Sequence, residues 1–179
     1  TEEERFRRIK HWAGFPSESI KFCLKDAKIS VQDLDYITIS RNPRANVSKK
    51  IIHTIKNKVK IRSVLDRLLN SKKVGSVKSE LAKLLNVKES FIKADIHHIE
   101  HHRSHIASAF FASRFKESAI LSIDGFGDFT STMTSVGIDN KIKVLDCVYY
   151  PHSLGVFYTA VTHFLGFHNY GDEYKVMGL

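Results

Sequence analysis

The spacing of apolar residues changes along the chain, and each spacing predicts one type of element. After Ser17, apolar side chains recur at helical intervals, which predicts a helix capped by that serine. The segment LDYITIS then alternates apolar and polar residues, which predicts a strand at 35–40. From Lys49 onward, apolar residues return every three or four positions and predict two charged amphipathic helices around SKKVGS. These positions are Ile51, Ile52, Ile55, Val59, Leu65, Leu68 and Leu69.

The second half of the chain has an α/β pattern. SAILSID, FTSTMTSVGI and KIKVLDCVYY predict three consecutive strands, and HHIEHHRSHIASAFF before them predicts an amphipathic helix. SLGVFYTAVTHFLGF predicts a second helix with Ser153 as its cap. We therefore expect an α/β fold in which residues 47–90 form a helical, lysine-rich insert. The second helix is expected to bury a core stripe of Leu154, Phe157, Val161, Phe164 and Leu165.

Positive charge is concentrated in one part of the chain, whose net charge is +9. Residues 46–79 contain ten Lys or Arg and one acid, Asp66, a balance that suits phosphate, RNA or anionic lipid but also an ordinary solvated surface. Phe, Tyr and Trp are absent between Asn42 and Ser90, so this segment lacks the stacking platform of single-strand nucleic-acid binders. Nucleic acid is therefore not expected as a partner. No apolar run approaches the roughly 20 residues of a membrane span, and no signal peptide is recognisable, so we expect a cytoplasmic protein.

Histidines are crowded into one short segment. Five of the ten, at positions 97, 98, 101, 102 and 105, fall within nine residues. On a helix, residues four apart lie one above the other, so the pairs 97/101, 98/102 and 101/105 could each hold a metal ion. Spacing alone does not choose among them. Two alternatives to metal binding are packing of the imidazoles and a pH-sensing role.

A carboxylate is expected to complete such a site. Asp124 ends the strand SAILSID, where we expect the chain to turn at Gly125. Two histidines and one aspartate leave coordination positions open, which favours catalysis over a structural ion. The following glycines, Gly125 and Gly127, could let backbone N–H groups approach a phosphate, although Asp-Gly between two strands is also a hairpin signal.

Five segments, taken in order, resemble the N-terminal part of the nodulation-protein and antibiotic O-carbamoyltransferase family. They are EEERFRRIKHWAGFP, HHRSHIASAFF, SIDGFGDFTSTM, PHSLGVFYTAVTHFLGF and EYKVMGL, and the resemblance fades in the lysine-rich residues 47–90. It implies a ribonuclease-H-like domain of the actin, sugar-kinase and heat-shock ATPase superfamily. Residues 1–179 would then be part of an N-terminal carbamoyltransferase domain. A further family domain and a further aspartate ligand are expected beyond residue 179, and the piece alone is expected to be inactive.

The resemblance also implies a reaction. Carbamoyl phosphate and ATP would give carbamoyl-adenylate, and the carbamoyl group would pass to a hydroxyl of a small metabolite or saccharide with help from a metal. The family's H-x-x-x-H motif maps onto His101 and His105, its D-G-x-G aspartate maps onto Asp124, and the expected ion is iron. Lys10 falls where the family has a lysine near the carbamoyl donor. His102 is a candidate proton acceptor, and Gly125 and Gly127 are candidate substrate or phosphate contacts.

Two other functions remain open from the sequence. A transferase of the type that makes threonylcarbamoyl-adenosine in tRNA would suit the basic residues 49–78. A non-catalytic nucleic-acid-binding module, whose histidines only pack, would bind RNA in a salt-dependent manner and without metal.

Overall fold

The structure, a computed structural model, describes residues 1–57 and 76–179. Within these ranges it contains two compact units, one of residues 1–37 and 76–97 and the other of residues 38–57 and 98–179. Val59, Leu65, Asp66, Leu68 and Leu69 of the predicted basic helices lie outside the described residues. No described helix is long and apolar enough to cross a membrane.

The described elements follow the mixed α/β pattern expected from the sequence. The helices are α1 (Glu3–Arg7), α2 (Ser17–Ala27), α3 (Val47–Lys56), α4 (Val77–Leu85), α5 (His101–Phe111), α6 (Leu154–Phe164) and α7 (Glu173–Met177). The strands are β1 (Tyr36–Ile39), β2 (Asp95–His98), β3 (Glu117–Gly127), β4 (Thr130–Ile138) and β5 (Lys141–Tyr149). β1 pairs with β2, and β3, β4 and β5 form a separate sheet in that order.

Helix α2 of the first unit begins where predicted, but its cap is not Ser17. The Glu3 carboxylate accepts hydrogen bonds from the backbone N–H groups of Glu18 and Ser19, at 3.0 and 2.9 Å, while Ser17 makes no capping bond. Burial by itself would raise the pKa of Glu3, but these N–H groups and the Arg7 guanidinium lower it to about 2. A residue from another helix has therefore replaced the local cap, which sequence spacing could not indicate.

The hydrophobic core of the first unit draws on both of its chain segments. Its buried residues are Val31, Leu81, Ala82, Ile92 and Ala94. Leu81 and Ala82 come from α4, so this part of the lysine-rich stretch contributes to a core. The assignment of residues 47–90 to an insert stays a prediction.

The second unit is built on the antiparallel sheet β3–β4–β5. All three strands were predicted, but the first turn was placed too early, because β3 continues through Gly127 with an irregular register after Ile123. Gly127 pairs with Thr130, so the two turn residues are Asp128 and Phe129, both with positive φ. Positive φ at both central residues matches the twist of a two-residue hairpin.

Helix α5 packs on one face of this sheet. Ile106 and Phe110 are 1% and 3% exposed, and Met133 of β4 is buried in the same unit. Gly137 lies directly under the Phe110 ring, where an added Cβ would come within 2.5 Å of the ring. This close approach holds α5 at a defined distance from the sheet.

Helix α6 is where predicted, but its apolar stripe is not buried. Phe157 is 63% and Phe164 is 89% exposed among the described residues, so the expected core stripe is wrong. The helix instead turns Gly155 toward β3 and buries Thr162. Small residues allow this close contact, and helical periodicity alone does not say which face is used.

Candidate metal centre

Two carboxylates determine where α5 begins. Glu100 accepts a hydrogen bond from the Arg103 backbone N–H at 2.8 Å, and Asp128 accepts one from the His101 N–H at 3.0 Å. Both satisfy donors that the first turn of a helix leaves free. The helix therefore starts at His101, and the prediction that its periodicity extends back to positions 97 and 98 is wrong.

The two earlier histidines lie in β2 and face other groups. The His97 ring lies 5.4 Å from the Tyr36 ring, and His98 Nδ1 lies 3.1 Å from the Arg41 carbonyl oxygen. The pairs 97/101 and 98/102 consequently do not share a helix face. Of the three pairs that spacing allowed, only His101 and His105 lie one turn apart on α5.

His101, His105 and Asp124 bring three ligand atoms to one point. His101 Nε2 lies 2.8 Å from Asp124 Oδ2 and 3.0 Å from His105 Nε2, and the third side of this triangle is 3.4 Å. Two ligand atoms held about 2.1 Å from an ion at 90–110° are separated by roughly 3.0–3.4 Å. The donor set therefore fits three ligands on one face of a metal ion, with further positions open to substrate.

Hydrogen bonds around the site favour its metal-binding form. His101 Nδ1 lies 3.4 Å from the Ser40 carbonyl oxygen, and donation to this carbonyl leaves the Nε2 lone pair directed at the other two ligands. Burial would raise the pKa of Asp124, but contact with His101 and the Gly125 N–H lowers it overall. Asp124 is thus a carboxylate at neutral pH, as a metal ligand must be.

Helix α6 holds the end of β3 that carries Asp124. The Ser153 hydroxyl caps the helix by accepting from the Val156 N–H, as predicted, and donates to the Gly125 carbonyl at 2.8 Å. Gly155 lies so close that an added Cβ would come within 2.7 Å of the Asp124 backbone. The Ser-x-Gly spacing was visible in the sequence, but nothing there joined it to Asp124.

The two glycines of DGFG differ in their surroundings. An added Cβ at Gly127 would fall 2.0 Å from His101 Cδ2, whereas at Gly125 it would meet no atom of the described residues within 4 Å. The Gly125 N–H already donates to Asp124 Oδ1 at 2.6 Å. Gly127 thus makes room for a ligand histidine, and the phosphate-binding role of both glycines stays a prediction.

His102 is enclosed rather than presented to a substrate. It is 0% exposed, and its two ring nitrogens lie 2.8 Å from Ser122 Oγ and 3.1 Å from the Thr130 carbonyl oxygen. Burial lowers the pKa of His102, with smaller opposing effects from Thr130 and Glu100. This geometry favours a structural role for a neutral His102, which fixes α5 on the sheet. It does not favour a role as proton acceptor.

Asp128 connects the hairpin to the start of the histidine helix. One oxygen, Oδ2, accepts from the His101 N–H and from the Asn42 N–H at 2.7 Å, while Asn46 donates to the Asp128 carbonyl. Sequence analysis missed this role, although the residue directly follows DGFG. Lys10 lies exposed in the first unit, and its role near a carbamoyl donor stays a prediction.

Comparison with known proteins gives this geometry a family context. The chain is 36% identical to an uncharacterized protein of Synechocystis sp. over 99% of its length and 30% of that protein. It is 35% identical to nodulation protein NolNO of Sinorhizobium fredii, over 99% of the chain and 25% of NolNO. Nodulation protein NolO of Bradyrhizobium diazoefficiens is 43% identical over 45% of the chain and 15% of NolO.

The matches cover the chain but only part of each relative. The chain spans about a third or less of the length of these curated relatives. The family described as Carbamoyltransferase N-terminus matches from residue 1 to residue 179, including the histidine helix and the DGFG strand. The chain therefore belongs to the carbamoyltransferase N-terminal family.

Proposed function

We propose that the protein is part of an ATP-dependent O-carbamoyltransferase. It would use carbamoyl phosphate, by way of carbamoyl-adenylate, to carbamoylate a hydroxyl of a small metabolite or saccharide in the cytoplasm. Family membership over the whole chain supports the reaction class. The observation that supports metal assistance is the convergence of His101, His105 and Asp124. The mixed α/β architecture is compatible with a ribonuclease-H-like domain of the actin, sugar-kinase and heat-shock ATPase superfamily.

The side chains of this site have distinct parts in the proposed reaction. A divalent ion, for which we propose iron, would supply Lewis-acid polarisation of the carbamoyl carbonyl oxygen. Asp124 contributes the negative charge of the ligand set, and His101 is oriented by the Ser40 carbonyl. The His105 side chain is 50% exposed, so the site is open to solvent on the side of His105. An acceptor hydroxyl approaching from this side could reach the carbonyl carbon.

Metal analysis with histidine variants tests the ligand set. In the full-length protein, the double variant His101→Ala/His105→Ala should lose bound metal, because two of the three candidate ligands in the described residues are removed. His97→Ala is the matched control, since this histidine lies in β2 and should leave the metal content unchanged. Metal retained at wild-type stoichiometry in the double variant would end the assignment.

Activity measurements test the reaction itself. The full-length protein should release AMP from ATP in the presence of carbamoyl phosphate and carbamoylate a hydroxylated acceptor, detected by mass spectrometry. Incubation with tRNA tests the threonylcarbamoyl-transferase alternative, which the basic residues Lys49, Lys50 and Lys56 of α3 would suit. Modified tRNA without carbamoylated small acceptor would reject the proposal in favour of that alternative.

A further inference from the structure

A cavity lies in the second unit beside the start of α5. It has a volume of about 470 Å³ and is separate from the three ligand atoms of the metal centre. Met133 and Val144 form part of an apolar wall, and Glu100, Arg103, Cys147 and Tyr149 supply polar groups. The cavity is therefore a mixed apolar and polar site of a size suited to a small molecule.

This cavity and the metal centre use different sides of the same helix. Arg103 is two residues from both His101 and His105, a step of roughly 200° around a helix of 3.6 residues per turn. Residues two apart on a helix do not face each other. None of the three candidate metal ligands lines the cavity. A ligand bound here would consequently not replace a metal ligand.

Glu100 provides a buried acceptor oxygen. The residue is only 8% exposed, and its Oε2 caps α5 by accepting from the Arg103 N–H. Its other oxygen, Oε1, is buried and has no hydrogen-bond partner among the described residues. A buried carboxylate oxygen is costly to leave unpaired, so this group calls for a hydrogen-bond donor.

The negative charge of Glu100 affects the pKa values of two neighbouring side chains, Cys147 and Tyr149. Burial raises the pKa of both Cys147 and Tyr149, and the negative charge of Glu100 raises each further. Both side chains line the cavity and remain uncharged at neutral pH. Among the described residues that line the cavity, Glu100 is the acidic one.

The cationic group at the same cavity is not paired with Glu100. Arg103 is exposed, and its guanidinium has no carboxylate within 4 Å among the described residues. Lys49 adds a second positive charge nearby, with Nζ 5.1 Å from the centre of the Tyr149 ring. The cavity is thus lined by a buried carboxylate, Glu100, and by an exposed guanidinium, Arg103, that do not pair with each other.

We propose that this cavity binds a small molecule that carries a primary amine at one end and an anionic group at the other. The amine would donate to Glu100 Oε1, and the anionic group would contact the Arg103 guanidinium. An ammonium group suits Glu100 better than a neutral donor, because it satisfies both the free oxygen and the buried negative charge. The separation of the two protein charges then selects a ligand with both functions.

Calorimetric titration of the full-length protein tests this pairing with three probes. O-phosphoethanolamine carries both functions, ethanolamine carries only the amine, and inorganic phosphate carries only the anion. O-phosphoethanolamine should bind most tightly. Glu100→Gln should weaken its binding about tenfold or more, since a neutral amide replaces the charge, and Arg103→Gln should weaken it about fivefold. Glu117→Gln and Arg114→Gln are exposed matched controls and should leave binding unchanged.

Two further measurements distinguish a specific loss of binding from unfolding and from loss of the metal site. Glu100→Gln retains an oxygen that can cap the Arg103 N–H, and an unchanged thermal unfolding midpoint would show that the helix is intact. If this variant unfolds, the comparison of Arg103→Gln with Arg114→Gln decides. Binding should persist in His101→Ala/His105→Ala, which separates this cavity from the proposed metal function. Absence of saturable O-phosphoethanolamine binding, or binding equal in the cavity variants and their controls, would overturn the proposal.

Discussion

Gly127 offers a sharp test of how the metal centre is built. An alanine Cβ at this position would fall 2.0 Å from Cδ2, 2.1 Å from Cγ and 2.5 Å from Cβ of His101. Carbon atoms in contact normally lie about 3.5–4.0 Å apart, so the imidazole would have to move by roughly 1.5 Å. The overlap includes the Cβ atom of His101, so rotation of the imidazole ring alone does not relieve it. His101 would then leave its position 2.8 Å from Asp124.

The size of this displacement determines the expected effect. Metal sites hold their ligand distances to within about 0.2 Å, so a shift of about 1.5 Å should remove His101 from the ligand set. We expect Gly127→Ala to weaken metal binding about 100-fold or more, and to lower the free energy of unfolding by about 1–3 kcal/mol through overpacking. The φ angle of Gly127 is not in the left-handed region, so the effect would come from crowding.

Metal titration provides the assay, with a control two residues away. The full-length wild type, Gly127→Ala and Gly125→Ala would be titrated with Fe(II) without oxygen and with Zn(II), and their thermal unfolding compared. In the part of the chain that the structure describes, an added Cβ at Gly125 meets nothing within 4 Å, so Gly125→Ala should bind metal like the wild type. Equal metal affinity of the two variants would refute the proposed contact between Gly127 and a ligand histidine.

Three further predictions concern the supports of the site and of the first unit. Gly155→Ala should lower both the thermal unfolding midpoint and the metal affinity, because its Cβ would come within 2.7 Å of the Asp124 backbone; unchanged values would contradict this packing. His102→Ala should lower the free energy of unfolding in urea by about 2–4 kcal/mol, through a buried cavity and two lost hydrogen bonds, and a loss below about 0.5 kcal/mol would contradict its enclosed position. Glu3 has a pKa of about 2 in the folded protein, below its ordinary value of 4.5, so its stabilising effect should be complete above pH 4.5 and disappear as the pH falls toward 2. Urea unfolding of Glu3→Gln should therefore differ from the wild type at pH 6 and converge with it in acid, while exposed Glu2→Gln should match the wild type throughout.

Strand periodicity was the most dependable signal in the sequence. Alternation in SAILSID, FTSTMTSVGI and KIKVLDCVYY predicted β3, β4 and β5, because residues two apart share a face of a strand. The same alternation did not show which face is buried. In β3, Ser122 is buried while Leu121 is 61% exposed, since the small polar residue fits beneath α5. Hydrophobicity alone would have assigned the opposite face to the helix.

The candidate metal ligands were partly predictable. Helical spacing limited the choice to three histidine pairs, and the family resemblance selected His101 and His105. The spacing could not make the selection because the start of α5 depends on Glu100 and on Asp128, which lies 27 residues away from His101. Pairing of β2 with β1 placed His97 and His98 in a strand.

The sequence by itself determined most of the succession of helices and strands, although not strand β2, together with the family and the residues with metal-binding chemistry, because these depend on local periodicity and on the types of side chain present. Tertiary structure decided which of these residues meet. His101 and Asp124 are 23 residues apart, and their contact at 2.8 Å requires α5 to pack on β3 with Gly127 and Gly155 leaving the necessary space. Tertiary structure also buried one oxygen of Glu100, a residue that lines a cavity, without a hydrogen-bond partner in residues 1–57 and 76–179. Both arrangements depend on contacts between segments distant in the chain, whose distances no local pattern encodes.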